Sequence, residues 1–365
     1  MKIDITFLGT ASCYPTPHRS VSCTAVRFED GSVWLFDCGE GSQIQLQKSS
    51  VKPGRVSKIF ITHLHGDHVF GLPGLVCTLG TAWQGKADAD ALLEVFGPKG
   101  LRSYLRRSLA LSRSLLPFHY TVHELVPVPE QFPADWGAWP VDHEAAGPTH
   151  PQERLGRDIP VAREDDRCTW HLFSDGCAGV RAGMIHHTIP SFGFAVELAS
   201  QPGQLDAGRL RELGLPPGPL YGALKRGEEV TLPGGLVIRP SEVVGPPKRG
   251  LKATILGDTS DPSPMEHLAR GSDVLLHEAT MRDGERDKAL EFGHSTPAMA
   301  AGFADRAGAR RLVLYHFSQR YRPAGPGTDP QETVAVLLEE ARAALPRGSV
   351  CEVSAAEDLL EMTVS

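Results

Sequence analysis

Four separate apolar runs in this chain stop at residues whose side chains can hold a metal ion. Residues 58–62 stop at His63, residues 253–256 at Gly257-Asp258, residues 274–276 at His277-Glu278, and residues 312–315 at His316. Runs this short, apolar and β-branched read as buried strands. Helical patterns over residues 99–113, 296–307 and 330–345 lie between several of them. Strands and helices therefore alternate, which makes the fold class α/β, built in layers. Further strands are expected over residues 2–8, 32–36, 92–96 and 192–198. Ligand-type residues gathered at strand ends fall on one rim of the sheets, where layered α/β folds bind.

The first of these ends reads Thr62-His63-Leu64-His65-Gly66-Asp67-His68. His63 and His65 face one side of an extended chain, and after the Gly66 turn Asp67 and His68 point elsewhere. One metal ion cannot take all four and keep an open coordination position, whereas two neighbouring ions can. Imidazole and carboxylate suit zinc, with manganese as the alternative. Two metals ~3.5–4 Å apart can activate a water and stabilise both oxygens of a displacement. Packing four such side chains at a strand end without a partner would be costly. Asp258 and His316 are the natural further ligands, with Asp258 as a carboxylate bridging two cations. The bland alternative for Asp258 is a turn residue after Gly257. One more imidazole is expected from the middle of the chain. His186 and His187 are adjacent there, and only one should bind, because successive strand residues face opposite ways.

The length of 365 residues allows one large domain or two ordinary ones. An apolar fraction of 41% is enough for a packed core and excludes global disorder. A net charge of -7 argues against general coating of nucleic acid but leaves room for a local basic groove. The 7 Cys are odd in number, widely spaced and without a C-x-x-C pair, and read as reduced thiols of a cytoplasmic protein. No secretory pattern opens the sequence, and no apolar run approaches the ~20 residues of a membrane span. A soluble, cytoplasmic protein with no membrane role is expected.

Two stretches break the alternation. Residues 128–168 are polar, Pro-rich and aperiodic, and read as surface loop. In residues 200–235 Asp206 can cap a short helix, Leu205, Leu210 and Leu213 line one side, and Gly214 can end it. Set in a Pro/Gly frame between two sheet strands, this segment reads as an inserted, protruding arm.

The H-x-H-x-D-H run resembles the metallo-β-lactamase signature. The chain as a whole resembles the short form of ribonuclease Z, the tRNA 3′-processing endonuclease family. The resemblance rests on Phe7-Leu8-Gly9-Thr10, on residues 36–43, and on Thr62 to His68 continuing through Phe70-Gly71-Leu72-Pro73-Gly74. It continues in residues 187–194, in Pro216 to Tyr221, and in Leu256-Gly257-Asp258-Thr259. His277-Glu278-Ala279-Thr280, Gly293-His294-Ser295-Thr296 and residues 316–321 complete it. It covers most of the chain. The H-x-H-x-D-H run is shared by many hydrolases, and the arm and the last two loops are far more specific.

This resemblance implies a four-layer αβ/βα sandwich forming a single domain over residues 1–365, with residues 200–235 as a tRNA-binding arm. It selects His187. One zinc would be held by His63, His65, His187 and bridging Asp258, the other by Asp67, His68, Asp258 and His316. It implies Asp67 as acceptor of the water's proton, Asp37 as a residue orienting a ligand His, and Glu278 with His294 as the pair that protonates the departing ribose 3′-oxygen. An alternative for His294 is a cap on the helix starting near Thr296-Pro297, where Ser295 and Thr296 offer backbone N–H groups to a phosphate. The implied activity is zinc-dependent removal of the 3′ trailer from precursor tRNA by a homodimer, leaving a tRNA 3′-hydroxyl. Other hydrolases of this fold, acting on a small phosphodiester, lactone, thioester or aryl sulfate, and a tRNA-binding protein without turnover are the alternatives. One loop departs from the family: Pro15-Thr16-Pro17-His18-Arg19-Ser20 keeps the arginine of a Pro-x-Lys-x-Arg-Asn pattern but not its lysine or asparagine. For contact with phosphate, Lys99, Arg102, Arg106, Arg107 and Arg113 form one basic group, Arg320 and Arg322 another, and Arg209, Arg211, Lys225 and Arg226 a third on the arm.

Overall fold

The computed structural model describes residues 2–83, 91–141, 147–164, 167–323 and 328–365. Two mixed sheets face each other. The first runs Glu361–Val364, Ile3–Gly9, Cys23–Arg27, Val33–Phe36, Val56–Phe60, Leu92–Pro98, His119–Leu125 and Glu153–Arg154 in spatial order, with Asp158–Ile159 also paired to His119–Leu125. The second runs Glu352–Ala355, Arg311–Tyr315, Val274–Glu278, Lys252–Ile255, Ser191–Leu198, Ala178–Ile185, Arg167–Ser174 and Ala162–Glu164. Each sheet has a parallel block, and these blocks carry the ligand-type residues at their ends.

The space between the sheets is filled by aromatic side chains. Phe36, Phe60 and Phe96 sit in register on three adjacent strands. They stack with ring centroids 4.8 and 5.2 Å apart. Phe194 from the opposite sheet tilts onto Phe60 at 5.4 Å. Offset aromatic contacts of this kind add to the burial energy of the rings themselves. The outer face of the first sheet is covered by the helices Leu72–Trp83 and Leu101–Leu111, and that of the second by Pro297–Arg306 and Val334–Ala344. Helix, sheet, sheet, helix is the four-layer sandwich, with each sheet buried on both faces.

The three expected helices are present with trimmed ends. The helix Leu72–Trp83 carries no comparable signal, since Pro73, Gly74, Val76 and Gly80 all weaken helical propensity. Burial of Leu72, Leu75, Val76 and Leu79 against the sheet holds it.

Residues 128–168 are not simply surface loop. Val128 and Ile159 belong to the inter-sheet core, Gln131 is buried with its amide donating to the Ser191 carbonyl at 2.9 Å, and Glu153 is buried against Arg106. The strands there are two or three residues long. So short a strand leaves no period to read. Residues 142–146 and 165–166 of the stretch lie outside the described residues.

The insertion between Ser191–Leu198 and Lys252–Ile255 runs further than residues 200–235. It begins where Gln201 pairs with Lys248, and contains the helices Ala207–Glu212, Pro219–Lys225 and Pro240–Val243 with the small hairpin Val230–Thr231 and Val237–Ile238. Leu210, Leu215, Leu224, Val230, Ile238 and Val243 form a buried cluster of their own. Two of these six residues, Ile238 and Val243, lie beyond the turn at Gly234-Gly235, which the leucine spacing alone does not reveal.

Candidate metal centre

The parallel strands deliver their ends to one cleft of about 670 Å³. His63, His65, Asp67 and His68 follow Val56–Phe60, Asp258 follows Lys252–Ile255, Glu278 ends Val274–Glu278, and His316 follows Arg311–Tyr315. His187 enters from the turn before Ser191–Leu198. His186 does not join: its backbone bridges to Asp261. His277 turns to the other face of the sheet, where its ring meets Phe303 at 5.9 Å and its Nδ1 bonds the Glu278 carbonyl.

The hydrogen bonds around the imidazoles fix where their protons sit. Nδ1 of His187 must donate to the Gly293 carbonyl, 2.7 Å away, because a carbonyl only accepts. Nδ1 of His68 faces the Asp37 carboxylate at 2.8 Å and donates likewise. The Thr62 hydroxyl donates to Asp37 at 2.9 Å, so its oxygen accepts from Nδ1 of His63 at 3.0 Å. The Thr280 hydroxyl donates to Glu278 at 2.6 Å and its oxygen accepts from Nδ1 of His316 at 3.1 Å. In the neutral ring of each of these four, Nε2 is then the nitrogen with the free lone pair.

Those lone pairs face one another. Nε2 of His63 and Nε2 of His187 each lie 3.1 Å from Nδ1 of His65. Nε2 of His68 lies 3.2 Å from Nε2 of His316 and 3.4 Å from Oδ2 of Asp258, and Oδ2 of Asp67 is 3.3 Å from Nε2 of His316. Oδ1 of Asp258 is buried with no hydrogen-bond partner. One N–H on His65 Nδ1 cannot satisfy both neighbouring nitrogens, and so many buried imidazole and carboxylate atoms pointing at one another suit a cation between them. Ligand atoms ~2.0–2.1 Å from a tetrahedral zinc are ~3.3 Å apart, which is the spacing seen in both groups. The donor set fits a first ion on His63, His65 and His187, a second on Asp67, His68 and His316, and Asp258 between them.

The electrostatics agree. Burial holds His63, His65 and His187 below the ordinary imidazole range, His187 down to about 4, so they are the neutral bases that a metal needs. Burial works against the Asp258 and Asp67 carboxylates, but the surrounding imidazoles outweigh it and keep both ionised. His68 is the exception: burial disfavours its charge, yet Asp258, Asp37 and Asp67 together hold a proton on it. A cation among those three carboxylates replaces that proton.

Beside this centre, Nδ1 of His294 lies 2.9 Å from Oε1 of Glu278 and 3.8 Å from Oδ2 of Asp258. Burial disfavours the imidazolium, but the Glu278 carboxylate outweighs it and raises His294 to about 9. Glu278 is itself locked by the Thr259 amide at 2.9 Å and by Thr280. At the neighbouring helix start Ser295 and Thr296 are buried, the Ala298 amide donates to Asp283 at 2.9 Å, and the Ser295 hydroxyl bonds the Thr259 carbonyl.

Other features escape the sequence reading. The Cys13 amide donates to Oδ2 of Asp67 at 2.6 Å. Cys13, Asp37 and His316 all take positive φ (68, 59 and 59°), a strained conformation for residues with a Cβ that is characteristic of functional sites. Arg19 is buried rather than turned to substrate. Its guanidinium bonds Thr10 at 2.8 Å and stacks on Phe317, tying the loop to the C-terminal segment. The basic groups are largely neutralised by acids distant in sequence. Lys99 pairs with Asp158, Arg102 with Glu124 and Asp158, Arg106 with Glu153, and Arg320 with Glu285. On the arm Arg209 pairs with Glu212 and Arg226 with Glu228, while Arg211 and Lys225 have no acid partner among the described residues.

Comparison with known proteins gives the same picture. Residues 16–196 match the family model of the metallo-beta-lactamase superfamily. The human protein named zinc phosphodiesterase ELAC protein 1 is 45% identical over 367 residues, covering 100% of this chain and 99% of that one. A ribonuclease Z of Limosilactobacillus fermentum is 38% identical over 321 residues, covering 87% and 89% of the two chains. The crystal structure of human tRNase Z, short form, superposes with a TM-score of 0.66 at 37% identity, over 99% of each chain. Identity of this size from end to end of both chains, on the same sandwich, means that this chain belongs to the ribonuclease Z family of the metallo-beta-lactamase superfamily.

Proposed function

We propose that this protein is a zinc-dependent endoribonuclease that removes the 3′ trailer from precursor tRNA and leaves a 3′-hydroxyl on the tRNA. The observation that carries the reading is the Glu278–His294 pair, held 3.8 Å from the buried Asp258 carboxylate on the wall of the cleft. Hydrolysis of a small, activated ester needs no strong acid, because its leaving group departs as a stable anion. A ribose 3′-oxygen is a poor leaving group and must be protonated as it leaves. With Nδ1 bonded to Glu278, His294 keeps Nε2–H for that oxygen.

Two zinc ions held by the residues above would supply Lewis acidity and a water that ionises near neutral pH. The protein's own residues do the rest. Asp67, with one oxygen tied to the Cys13 amide, accepts the proton of the attacking water. Asp37, Thr62, Thr280 and Gly293 hold the ligand rings in one tautomer, as outer hydrogen bonds at metal sites do. The insertion from Gln201 to Lys248 carries exposed cations away from the cleft and serves as the clasp for the tRNA body. In this reading the arm of one copy reaches RNA bound by another, and the active species is a homodimer.

Cleavage of a precursor tRNA with end mapping tests the whole proposal. A 3′-hydroxyl on the tRNA and a 5′-phosphate on the trailer are expected. Turnover of bis(p-nitrophenyl) phosphate with no cut in the tRNA would sink the ribonuclease reading in favour of a small-substrate hydrolase. Sedimentation at micromolar concentration reads out the dimer.

A further inference from the structure

Among the described residues, the walls of the cleft contain no lysine or arginine. The residues lining it are the ligand-type His and Asp, one further carboxylate in Glu40, polar groups such as Thr188, Ser318 and Gln319, and apolar side chains. A single RNA strand crossing such a surface is not held by salt bridges to its phosphates on either side of the cut. Two of the lining residues are large aromatics left open to solvent: Phe70 is 64% exposed and Phe292 49%. An exposed phenylalanine forgoes burial and is informative when it recurs at a binding cleft.

Neither ring is on a loose tether. The Phe70 ring packs against Gly66, where a Cβ would come within 2.3 Å of it, so Gly66 makes room for it between His65 and Asp67. Phe292 stands next to Gly293, whose carbonyl holds His187, and two residues before His294. The rings therefore arise from the two halves of the chain, one beside Asp67 and one beside His294.

We infer that Phe70 and Phe292 grip the two bases flanking the scissile phosphodiester by stacking, Phe292 the last base kept on the tRNA and Phe70 the first base of the trailer. The inference rests on the ribonuclease reading above. The sides follow from the chemistry: the oxygen that His294 protonates belongs to the last tRNA nucleoside, so the ring next to His294 meets that nucleoside, and the ring next to Asp67 meets the other. Stacking suits this task because every base has a π-face, which lets one enzyme accept trailers of any sequence.

The test pairs protein variants with altered substrates. Precursor tRNAs are made with an abasic nucleotide at the last tRNA position or at the first trailer position, and kcat/KM is measured for wild type, Phe70→Ala and Phe292→Ala. On the intact precursor each alanine variant should lose roughly ten- to a hundredfold in kcat/KM. Phe292→Ala should lose nothing further on the RNA abasic at the tRNA side, and Phe70→Ala nothing further on the RNA abasic at the trailer side. Phe→Trp at either position should keep activity, and zinc content should stay at the wild-type level. If an alanine variant loses zinc, Phe→Leu at that position, which keeps bulk without a stacking face, takes its place. Alanine variants as fast as wild type, or protein and RNA losses that multiply in full, would overturn the grip. The opposite pairing of variant and abasic site would overturn the assignment of sides. Wild type inert on intact precursor would defeat the underlying ribonuclease reading, a result distinct from all of these.

Discussion

The carbonyl oxygen of Gly293 lies 2.7 Å from Nδ1 of His187 and fixes that imidazole with its lone pair toward the metal centre. The same loop carries His294 one residue later, so one backbone turn positions both a ligand and the proposed acid. Gly293 has φ +74°, and a Cβ added there would meet Nδ1 of His187 at 2.6 Å. Gly293→Ala should therefore weaken zinc binding by roughly 10–100-fold, the usual cost of disturbing a ligand's outer hydrogen bond. Zinc titration against a competing chelator measures it; unchanged affinity would show that the loop yields freely.

Purified protein should hold about two zinc ions per chain, as the two-ion centre requires. Asp258→Ala should lower both occupancies, since the carboxylate lies against His63 and His68 at 3.8 and 3.4 Å. Emission spectroscopy of the metal content decides this, and a variant that kept one site full would remove Asp258 from the bridge.

His294→Ala should reduce precursor cleavage by roughly 10²–10⁴ with metal content unchanged, the range for loss of a general acid. Glu278→Gln should move the alkaline limb of the kcat profile to lower pH. The carboxylate is what raises His294 to about 9, so without it the imidazole loses its proton earlier as pH rises. A limb that stayed in place would assign it to another group.

Removing the arm should raise KM for precursor tRNA and spare hydrolysis of bis(p-nitrophenyl) phosphate, because uniform binding affects KM rather than the chemical step. The cut belongs at residues 203–245, joined by a short Gly/Ser bridge. Gly203 packs directly on the Gly245 backbone, and a cut ending at 235 would strand Ile238 and Val243 without their apolar partners. Loss of both activities with an altered circular dichroism spectrum would mean misfolding instead.

Arg106 and Glu153 form a two-pronged buried pair at 2.6 and 2.7 Å. Glu153→Ala leaves a buried guanidinium unpaired and should cost about 3–5 kcal/mol of stability. The urea midpoint should fall while kcat holds. A midpoint within error of wild type would show that the charge finds water.

The local sequence determines a good deal of this protein. Strand ends marked by His63, Asp258 and His316 are legible because a ligand-type residue after a short apolar run is hard to explain by packing. Adjacent His186 and His187 are different. Both are imidazoles, so their own chemistry leaves the choice open; the family resemblance selects His187, and the register of the chain against Asp261 is what turns His186 away. Arg106 shows the same limit: an arginine on a helix with no acid nearby reads as free, yet Glu153, 47 residues away, neutralises it. The arm's second half is hidden because Ile238 and Val243 acquire meaning only once they close over Leu210 and Leu224. The ring orientation of His63, His68, His187 and His316 was likewise decided by tertiary structure. Proton placement on an imidazole depends on what faces its other nitrogen, and here those partners are Thr62, Thr280, Asp37 and the Gly293 carbonyl, three of them brought in by separate strands and loops.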